Sequence, residues 1–163
     1  MKLRSLAEKD AVAMLEWMHD LDVVEKMGTD FRNKTILDCI AFIKNSQKDC
    51  SNFHRAIVND SDEYLGTVSL KKLDLIDHTA EFAIVICKKA MGCGIASWAM
   101  QEILNIGKNE LGLHKVFWCV RKDNIRANKF YNKNGYQKTF NVPEYLYNSY
   151  DNGSDLNWFA WED

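Results

Sequence analysis

A glycine-rich turn in the middle of the chain offers a surface that could bind an anion. The apolar run Phe82–Cys87 leads through two lysines into Gly92-Cys93-Gly94, and a helical pattern starts immediately afterwards. Such a turn exposes backbone N–H groups at the positive end of a helix, where a phosphate or pyrophosphate is stabilised. A turn that merely joins a strand to a helix gives the same pattern, so the segment alone leaves both interpretations open.

The same segment excludes two common nucleotide sites. The chain contains no GxxxxGK[ST] sequence, and Ser97 stands where a Rossmann fingerprint has its third glycine. We therefore expect the turn to bind a ligand other than ATP or NAD.

A second segment, NIRANKFYNKNGY at residues 124–136, follows a predicted strand and begins with an asparagine that can cap a helix. The succession of strand, KxxGxG, helix, strand and NxxAxxFYxKxGY resembles the GNAT superfamily of acetyl-CoA-dependent N-acetyltransferases over residues 53–141. Within it, the chain looks most similar to the branch of ribosomal-protein N-terminal acetyltransferases and bacterial amino-sugar acetyltransferases. Lys89 takes the first position of the family's acetyl-CoA loop, and Met91 replaces its usual Arg or Trp.

The resemblance implies the GNAT α/β fold, with a mixed central sheet of about six to seven strands and about four helices, and acetyl-CoA as co-substrate. Backbone amides of Met91–Ala96 would hold the pyrophosphate, and the edge of Ile84–Ile86 would pair with the pantetheine arm where the sheet splays. The residues that it assigns to acetyl-CoA are Ile84, Val85, Ile86, Lys89, Met91, Gly92, Cys93, Gly94, Ile95, Ala96, Asn124, Ala127 and Phe130.

Two side chains are the catalytic candidates. Tyr131 matches the family tyrosine that protonates the departing thiolate, and a phenol of pKa about 10 can do this through a hydrogen bond. A tyrosine buried on an amphipathic helix fits the same position. Glu81, just before the cofactor strand, is the leading general base for the acceptor ammonium, acting through water; an outward-facing polar residue is the alternative.

Other residues are weaker candidates. Trp17 and His19 end the first predicted helix, where this branch places residues that contact the acceptor, and His19 is a secondary base candidate. His114 and Cys119 could form a nucleophile pair, but no third orienting group is evident, which favours a core role for both. The aromatic residues of the predicted strands 115–120 and 156–161 are also expected to lie in the core rather than to stack on bases; they are Phe117, Trp118, Trp158, Phe159 and Trp161.

Apolar periodicity and turn residues predict the elements that position these groups. Helices are predicted over 8–19, 35–46, 94–110 and 124–134, with a short helix and a loop in 21–34. Strands are predicted over 53–58, 64–73, 79–87, 115–120, 136–140 and 156–161. Short gaps indicate an antiparallel meander first, and the later strand–helix alternation indicates partly parallel pairing. The apolar run 82–86 is expected to be buried on both faces at the sheet centre.

Length and composition narrow the class of protein. The 163 residues, 47% of them hydrophobic, fit one domain spanning 1–163. Lys and Arg total 21 against 23 Asp and Glu, which argues against nucleic acid as a partner. No stretch is long enough for a signal peptide or a membrane span. Five cysteines without a CxxC pair indicate reduced thiols in a cytoplasmic protein and no metal site.

The function predicted from these features is direct transfer of an acetyl group from acetyl-CoA to a primary amine, by a monomer or a homodimer. The alternative is a non-catalytic acyl-CoA-binding or regulatory domain, which the changes at positions 89 and 91 leave open. The acceptor can be a protein N-terminus, an amino sugar, an aminoglycoside or a polyamine, since loops 20–34 and 142–153 carry no decisive motif. The acidic and hydroxyl-bearing side chains of the second loop favour a small polar acceptor; they are Glu144, Tyr145, Tyr147, Tyr150 and Asp151.

Overall fold

A seven-stranded sheet of order β1-β2-β3-β4-β5-β7-β6 forms the centre of the molecule in a computed structural model that describes residues 1–151 and 155–163. The strands are β1 (Lys2–Arg4), β2 (Phe53–Val58), β3 (Tyr64–Asp74), β4 (Thr79–Ile86), β5 (Lys115–Arg121), β6 (Gln137–Lys138) and β7 (Leu156–Glu162). Strands β4 and β5 pair in parallel, and the other described pairings are antiparallel. The predicted mixed α/β sheet is thus confirmed.

Side chains close the turns of the β2–β3–β4 meander. Asn59 Oδ1 accepts hydrogen bonds from the N–H groups of Ser61 at 3.0 Å and Glu63 at 2.9 Å. Between β3 and β4, Asp74 Oδ1 accepts the N–H of Ile76 at 2.9 Å. Asn and Asp favour turns because their side chains can replace a backbone acceptor in this way. The antiparallel meander predicted from these turn residues is confirmed.

Helices cover both faces of the sheet. They are α1 (Ala11–Met18), α2 (Leu21–Val24), α3 (Ile36–Ser46), α4 (Ile95–Leu111), α5 (Ile125–Lys133) and α6 (Glu144–Tyr147). Ala56 and Val58 of β2 pack with α1 and α3, whereas the intervening Ile57 packs with α4. Because strand side chains alternate, α4 lies on the face of the sheet opposite to α1 and α3. Besides the four longer helices, the described residues hold two single-turn helices: α2, which is the short helix predicted in 21–34, and α6, which was not predicted.

The two central strands separate partway along their length. Three residues of β4 pair with β5, ending at Glu81 opposite Phe117, whereas β4 continues to pair with β3 as far as Ile86. The predicted splay of the sheet is therefore present. It also corrects the expectation that 82–86 is buried on both faces, because Ala83, Ile84 and Val85 are only half-buried beside the opening.

Three other features differ from the prediction. Strand β1 was not expected, because three residues are too few to show an alternating pattern. Strand β6 is two residues long instead of spanning 136–140, and Phe140 beyond it is fully exposed. Helix α6 lies within the predicted loop 142–153, whose end at Gly153 falls outside the described residues. Its Leu146 is completely buried, so tertiary packing decides this helix.

Gly66 lets β3 approach the end of β4 closely. A Cβ atom at this position would lie 2.3 Å from the backbone oxygen of Val85, too close for any side chain. We expect Gly66→Ala to lower the free energy of unfolding by about 2 kcal/mol, as overpacking in a core does. Urea denaturation measures this, with Gly28→Ala as control because no atom lies within 4 Å of its Cβ position. Equal midpoints for the two variants would contradict this account of the β3–β4 contact.

Candidate active site

The glycine-rich turn presents a row of backbone donors to solvent. Gly92 and Gly94 have φ angles of +78° and +76°, and no atom lies within 4 Å of a Cβ built on either residue. Within the described ranges, no acceptor pairs with the backbone N–H groups from Gly92 to Ser97; the first such bond of α4 runs from Trp98 to Gly94. Positive φ favours glycine at both positions. The turn therefore has the donors and the free space that a pyrophosphate requires.

The two lysines that precede the turn are each paired with a carboxylate. Lys89, expected to attract the pyrophosphate, is paired with Glu63, and Lys88 is paired with Asp22. Glu63 acts first through its hydrogen bond to raise the pKa of Lys89, so this ammonium stays charged but already has a counter-ion. The unpaired donors of the turn are therefore its backbone N–H groups and not these two lysines.

Arg126 is a cation near the turn that sequence reasoning missed. Its guanidinium donates to Met91 Sδ at 3.1 Å, and its charge acts on Asp22 without forming a salt bridge in the described residues. This contact joins α5 to the turn across the opening between β4 and β5. Its position two residues after the predicted capping Asn124 is the signal that could have identified it.

The opening has an unpaired edge on each side. On the β4 side, Phe82–Ile86 has no described strand partner facing β5, so an extended ligand arm can add to it. On the β5 side, Trp118 is the first residue past the split, and its buried indole N–H has no acceptor in the described part of the chain. Asn124 caps α5 by accepting the Ala127 N–H at 3.1 Å, which leaves its amide N–H groups as donors. These features fit the pantetheine arm of acetyl-CoA.

Of the other residues assigned to acetyl-CoA, Ile95 is buried in the core under the turn, whereas Cys93 is exposed within it. Ala96, Ala127 and Phe130 are half-buried against the same core as Ile95. The structure therefore brings the predicted cofactor residues of α4, α5 and β4 to one opening.

Tyr131 lies in an aromatic cluster beside the opening. Its ring centroid is 5.3 Å from that of Trp118 and 5.2 Å from that of Phe159. Burial raises the pKa of the phenol well above its ordinary value, so the hydroxyl keeps its proton. No described residue accepts a hydrogen bond from this hydroxyl, and its oxygen is not completely buried. A protonated phenol without an internal acceptor is available as a donor.

Glu81 is 2% exposed and lies at the last paired position of β4 and β5. The Tyr150 hydroxyl donates to its Oε1, and the ammonium groups of Lys72 and Lys71 lie 2.9 Å from Oε2 and 3.5 Å from Oε1. Burial acts to raise the pKa of this carboxyl, but Lys71, the Tyr150 hydrogen bond and Lys72 together lower it below its ordinary value. Glu81 is thus an ionised carboxylate whose charge is already met by two lysines.

Trp17 and His19, the two residues at the end of α1 that were predicted to contact the acceptor, differ in burial. Trp17 is buried, and its indole N–H donates to the Tyr64 hydroxyl at 3.2 Å. It also lines a cleft of about 360 Å³, together with Ala13, Glu16, Asp20, Cys87, Lys88 and Lys89. His19 is exposed and contacts the backbone oxygen of Lys34 at 3.0 Å, not another candidate catalytic residue.

The aromatic residues predicted to lie in the core do so. Phe117, Trp118, Trp158 and Phe159 are buried, and Trp161 packs half-buried against the core. His114 is a correction, because it is exposed just before β5 and stacks on His78 at 4.7 Å. Cys119 is half-buried, with its thiol pKa raised by burial to about 11.

The described residues hold neither a metal-binding cluster nor a membrane-spanning helix. No group of three or more His, Cys, Asp or Glu residues there could hold a metal ion. No described helix has the length and apolar character needed to cross a membrane.

Comparisons with known proteins agree with this geometry. The chain is 27% identical over 139 residues to an uncharacterised N-acetyltransferase p20 of Bacillus licheniformis, covering 83% of this chain and 78% of the relative. It is 29% identical over 140 residues to a spermidine N(1)-acetyltransferase of Escherichia coli K12, covering 83% and 72%. A crystal structure of spermidine N-acetyltransferase from Vibrio cholerae with CoA and spermine shares the fold, with a TM-score of 0.82, 17% identity and coverage of 99% and 94%.

These relatives do not bear out the narrower resemblance to ribosomal-protein and amino-sugar acetyltransferases, which stays a prediction. The family model described as an acetyltransferase (GNAT) domain matches residues 1–137. The open sheet edge and the glycine-rich turn agree with this match, which shows that the chain belongs to the acetyltransferase (GNAT) domain family, the N-acetyltransferases that use acetyl-CoA as co-substrate.

Proposed function

We propose that the chain acts as a single domain, residues 1–163, that acetylates a primary amine of a small polyamine. The observation that carries this proposal is the opening between β4 and β5, which has unpaired backbone donors for an anion at one end and the buried carboxylate of Glu81 at the other. An anionic cofactor and a cationic acceptor therefore each have a complementary group. The spermidine acetyltransferases among the relatives support the choice of acceptor.

In this proposal the cofactor is held by the backbone of Gly92–Ser97, the edge of Phe82–Ile86 and the amide of Asn124. Acetyl-CoA supplies an acetyl thioester, whose carbonyl carbon accepts the amine and whose sulfur leaves. Arg126 contributes positive charge beside the turn, where Lys88 and Lys89 are already paired. The anchoring groups are mostly backbone amides, which explains why the changed side chains at positions 89 and 91 are compatible with binding.

The proposal gives the opening a proton donor, Tyr131, and a proton acceptor, Glu81. Tyr131 Oη holds a proton in an apolar cluster and can donate it to the leaving sulfur. Glu81 attracts the acceptor ammonium and takes up its proton through water. Its lowered pKa makes it a weak base while both lysines face it. Loss of one lysine from this cluster removes positive charge and raises the pKa of the carboxyl toward its ordinary value.

The acceptor assignment rests on charge. Glu16 of α1 and Asp20, which caps α2, both line the cleft beside Cys87. Neither forms a salt bridge with a described cation, and Lys88 and Lys89 act on them only through longer-range charge. A polyamine carries several ammonium groups, so one can react while others meet these carboxylates. An assay of acetyl-CoA-dependent thiol release against polyamines, amino sugars, aminoglycosides and peptides tests this assignment. A non-catalytic domain releases no thiol with any of them. Cytoplasmic location and a monomeric or homodimeric state stay predictions.

Acetyl-CoA should raise the melting temperature of the protein, because a ligand that binds only the native state stabilises it. ATP and NAD should not. Gly92→Val should abolish the shift, since its side chain fills the space over the turn and disfavours φ of +78°. Gly112→Val is the control: it has φ of +66° at the opposite end of α4 and should keep the shift despite a similar loss of stability. If acetyl-CoA leaves the melting temperature of the wild-type protein unchanged, the proposed cofactor site is contradicted.

Tyr131→Phe separates an acid from a packing residue. The variant keeps the ring and its contacts but loses the proton, so an acid role predicts a fall in kcat on the order of 10²-fold. The affinity for acetyl-CoA should change little. Steady-state kinetics with a good acceptor and calorimetric binding of CoA measure the two quantities on folded protein. Full kcat in the variant would assign the proton to water instead.

Glu81→Gln should reduce kcat/KM at neutral pH and recover part of it as pH rises toward about 10, the range in which a primary amine loses its own proton. The activity of the variant should recover at high pH because a deprotonated acceptor amine needs no base. A pH–rate profile of the two proteins checks this. A constant ratio of the two activities across the range would show that Glu81 does not take the proton.

A further inference from the structure

The ammonium group of Lys72 lies against a hydroxyl, a carboxylate and an aromatic ring. Its Nζ donates to Ser149 Oγ at 2.7 Å and lies 2.9 Å from Glu81 Oε2. The centroid of the Tyr150 ring is 5.3 Å from the same nitrogen, within the range of a cation–π contact. A carboxylate, a hydroxyl and an aromatic face together form what we call the ammonium cage: Glu81, Ser149 and Tyr150.

The backbone departs from regular geometry to bring Lys72 to the cage. Lys71 is the register partner of Glu81, so alternation along β3 would direct Lys72 to the opposite face. The register shifts between Lys71 and Asp74, and Lys72 has φ of +51°, which L-residues other than glycine rarely adopt. Its N–H donates to Asn52 Oδ1 at 3.0 Å. A conformation of this kind at a binding site points to a functional role.

Charge balance of the cage does not require Lys72. Lys71 lies 3.5 Å from Glu81 Oε1 and by itself neutralises the carboxylate. No described residue gives Oε2 a hydrogen bond of regular geometry, so Lys72 is held there by charge rather than by an aligned donor. The Lys72 side chain is 38% exposed, whereas Glu81 is 2% exposed. Lys72 can therefore swing into solvent and leave a satisfied ion pair behind.

The cage lies at the point where the acceptor must arrive. Glu81 is the last β4 residue that pairs with β5, directly below the opening. Tyr150 contacts both Glu81 and Cys119 of β5, so it spans the two strands where they part. An ammonium in the cage is thus adjacent to the splayed part of the sheet.

We propose that the cage of Glu81, Ser149 and Tyr150 binds the reacting ammonium of the acceptor, and that Lys72 occupies this site as an internal mimic which the acceptor displaces. The proposal rests on the polyamine acetyltransferase function proposed above and adds its acceptor subsite. The competing lysine lowers apparent affinity by the fraction of time for which it fills the cage.

Calorimetric titration of spermidine into the CoA-bound protein tests the displacement without requiring turnover. Lys72→Met empties the cage and should tighten spermidine binding by about tenfold. Lys72→Arg keeps a cation there and should bind within about twofold of the wild type. Adding Ser149→Ala to Lys72→Met removes a cage acceptor and should reverse part of the gain.

Lys44→Met is the matched control, since it also removes one lysine charge but from a surface pair with Glu8. Unchanged or weaker binding in Lys72→Met overturns the proposal, and so does equal tightening in Lys44→Met. The proposed function is judged separately, by thiol release from the wild-type protein with spermidine. Failure of that assay leaves the titration able to decide whether the cage binds ammonium.

Discussion

Strands β4 and β5 share three register pairs and then part, and the candidate functional groups lie at or beyond the point of parting. Parting leaves the β5-facing backbone groups of 82–86 without a described strand partner, while the opposite edge of this stretch stays paired with β3. Buried polar groups in that state are costly unless a ligand satisfies them. The cost is localised at the site because β3 and β7 continue to support the two strands on their outer sides.

Charges around the opening are organised so that each end favours a different ligand. At the turn, the lysines are neutralised by Glu63 and Asp22, which leaves backbone dipoles to meet an anion. At Glu81, two lysines face one buried carboxylate, so the cluster holds more positive than negative charge. A cluster of this kind can release one cation at low cost, and an incoming ammonium restores the same balance.

Much of the scaffold could be predicted because it depends on neighbours in the chain. Asn59 and Asp74 close turns with their own side chains, Asn124 caps the helix that follows it, and the glycines at 92 and 94 permit positive φ. These interactions span a few residues and leave a pattern in the sequence. Strand β1 and helix α6 left no such pattern, because each is fixed by contacts with distant residues.

The sequence by itself determined the order of the longer helices and strands, the position of the glycine-rich turn and the choice of Tyr131 and Glu81 as candidates. Tertiary structure alone decided what surrounds Glu81: Lys72 reaches it through a register shift, and Tyr150 reaches it from 69 residues away. It also decided that Lys89 is already paired and that Arg126 is the cation beside the turn. The physical reason is that local hydrogen bonds follow from residue type and spacing, whereas the pairing of charges depends on which distant segments packing brings together.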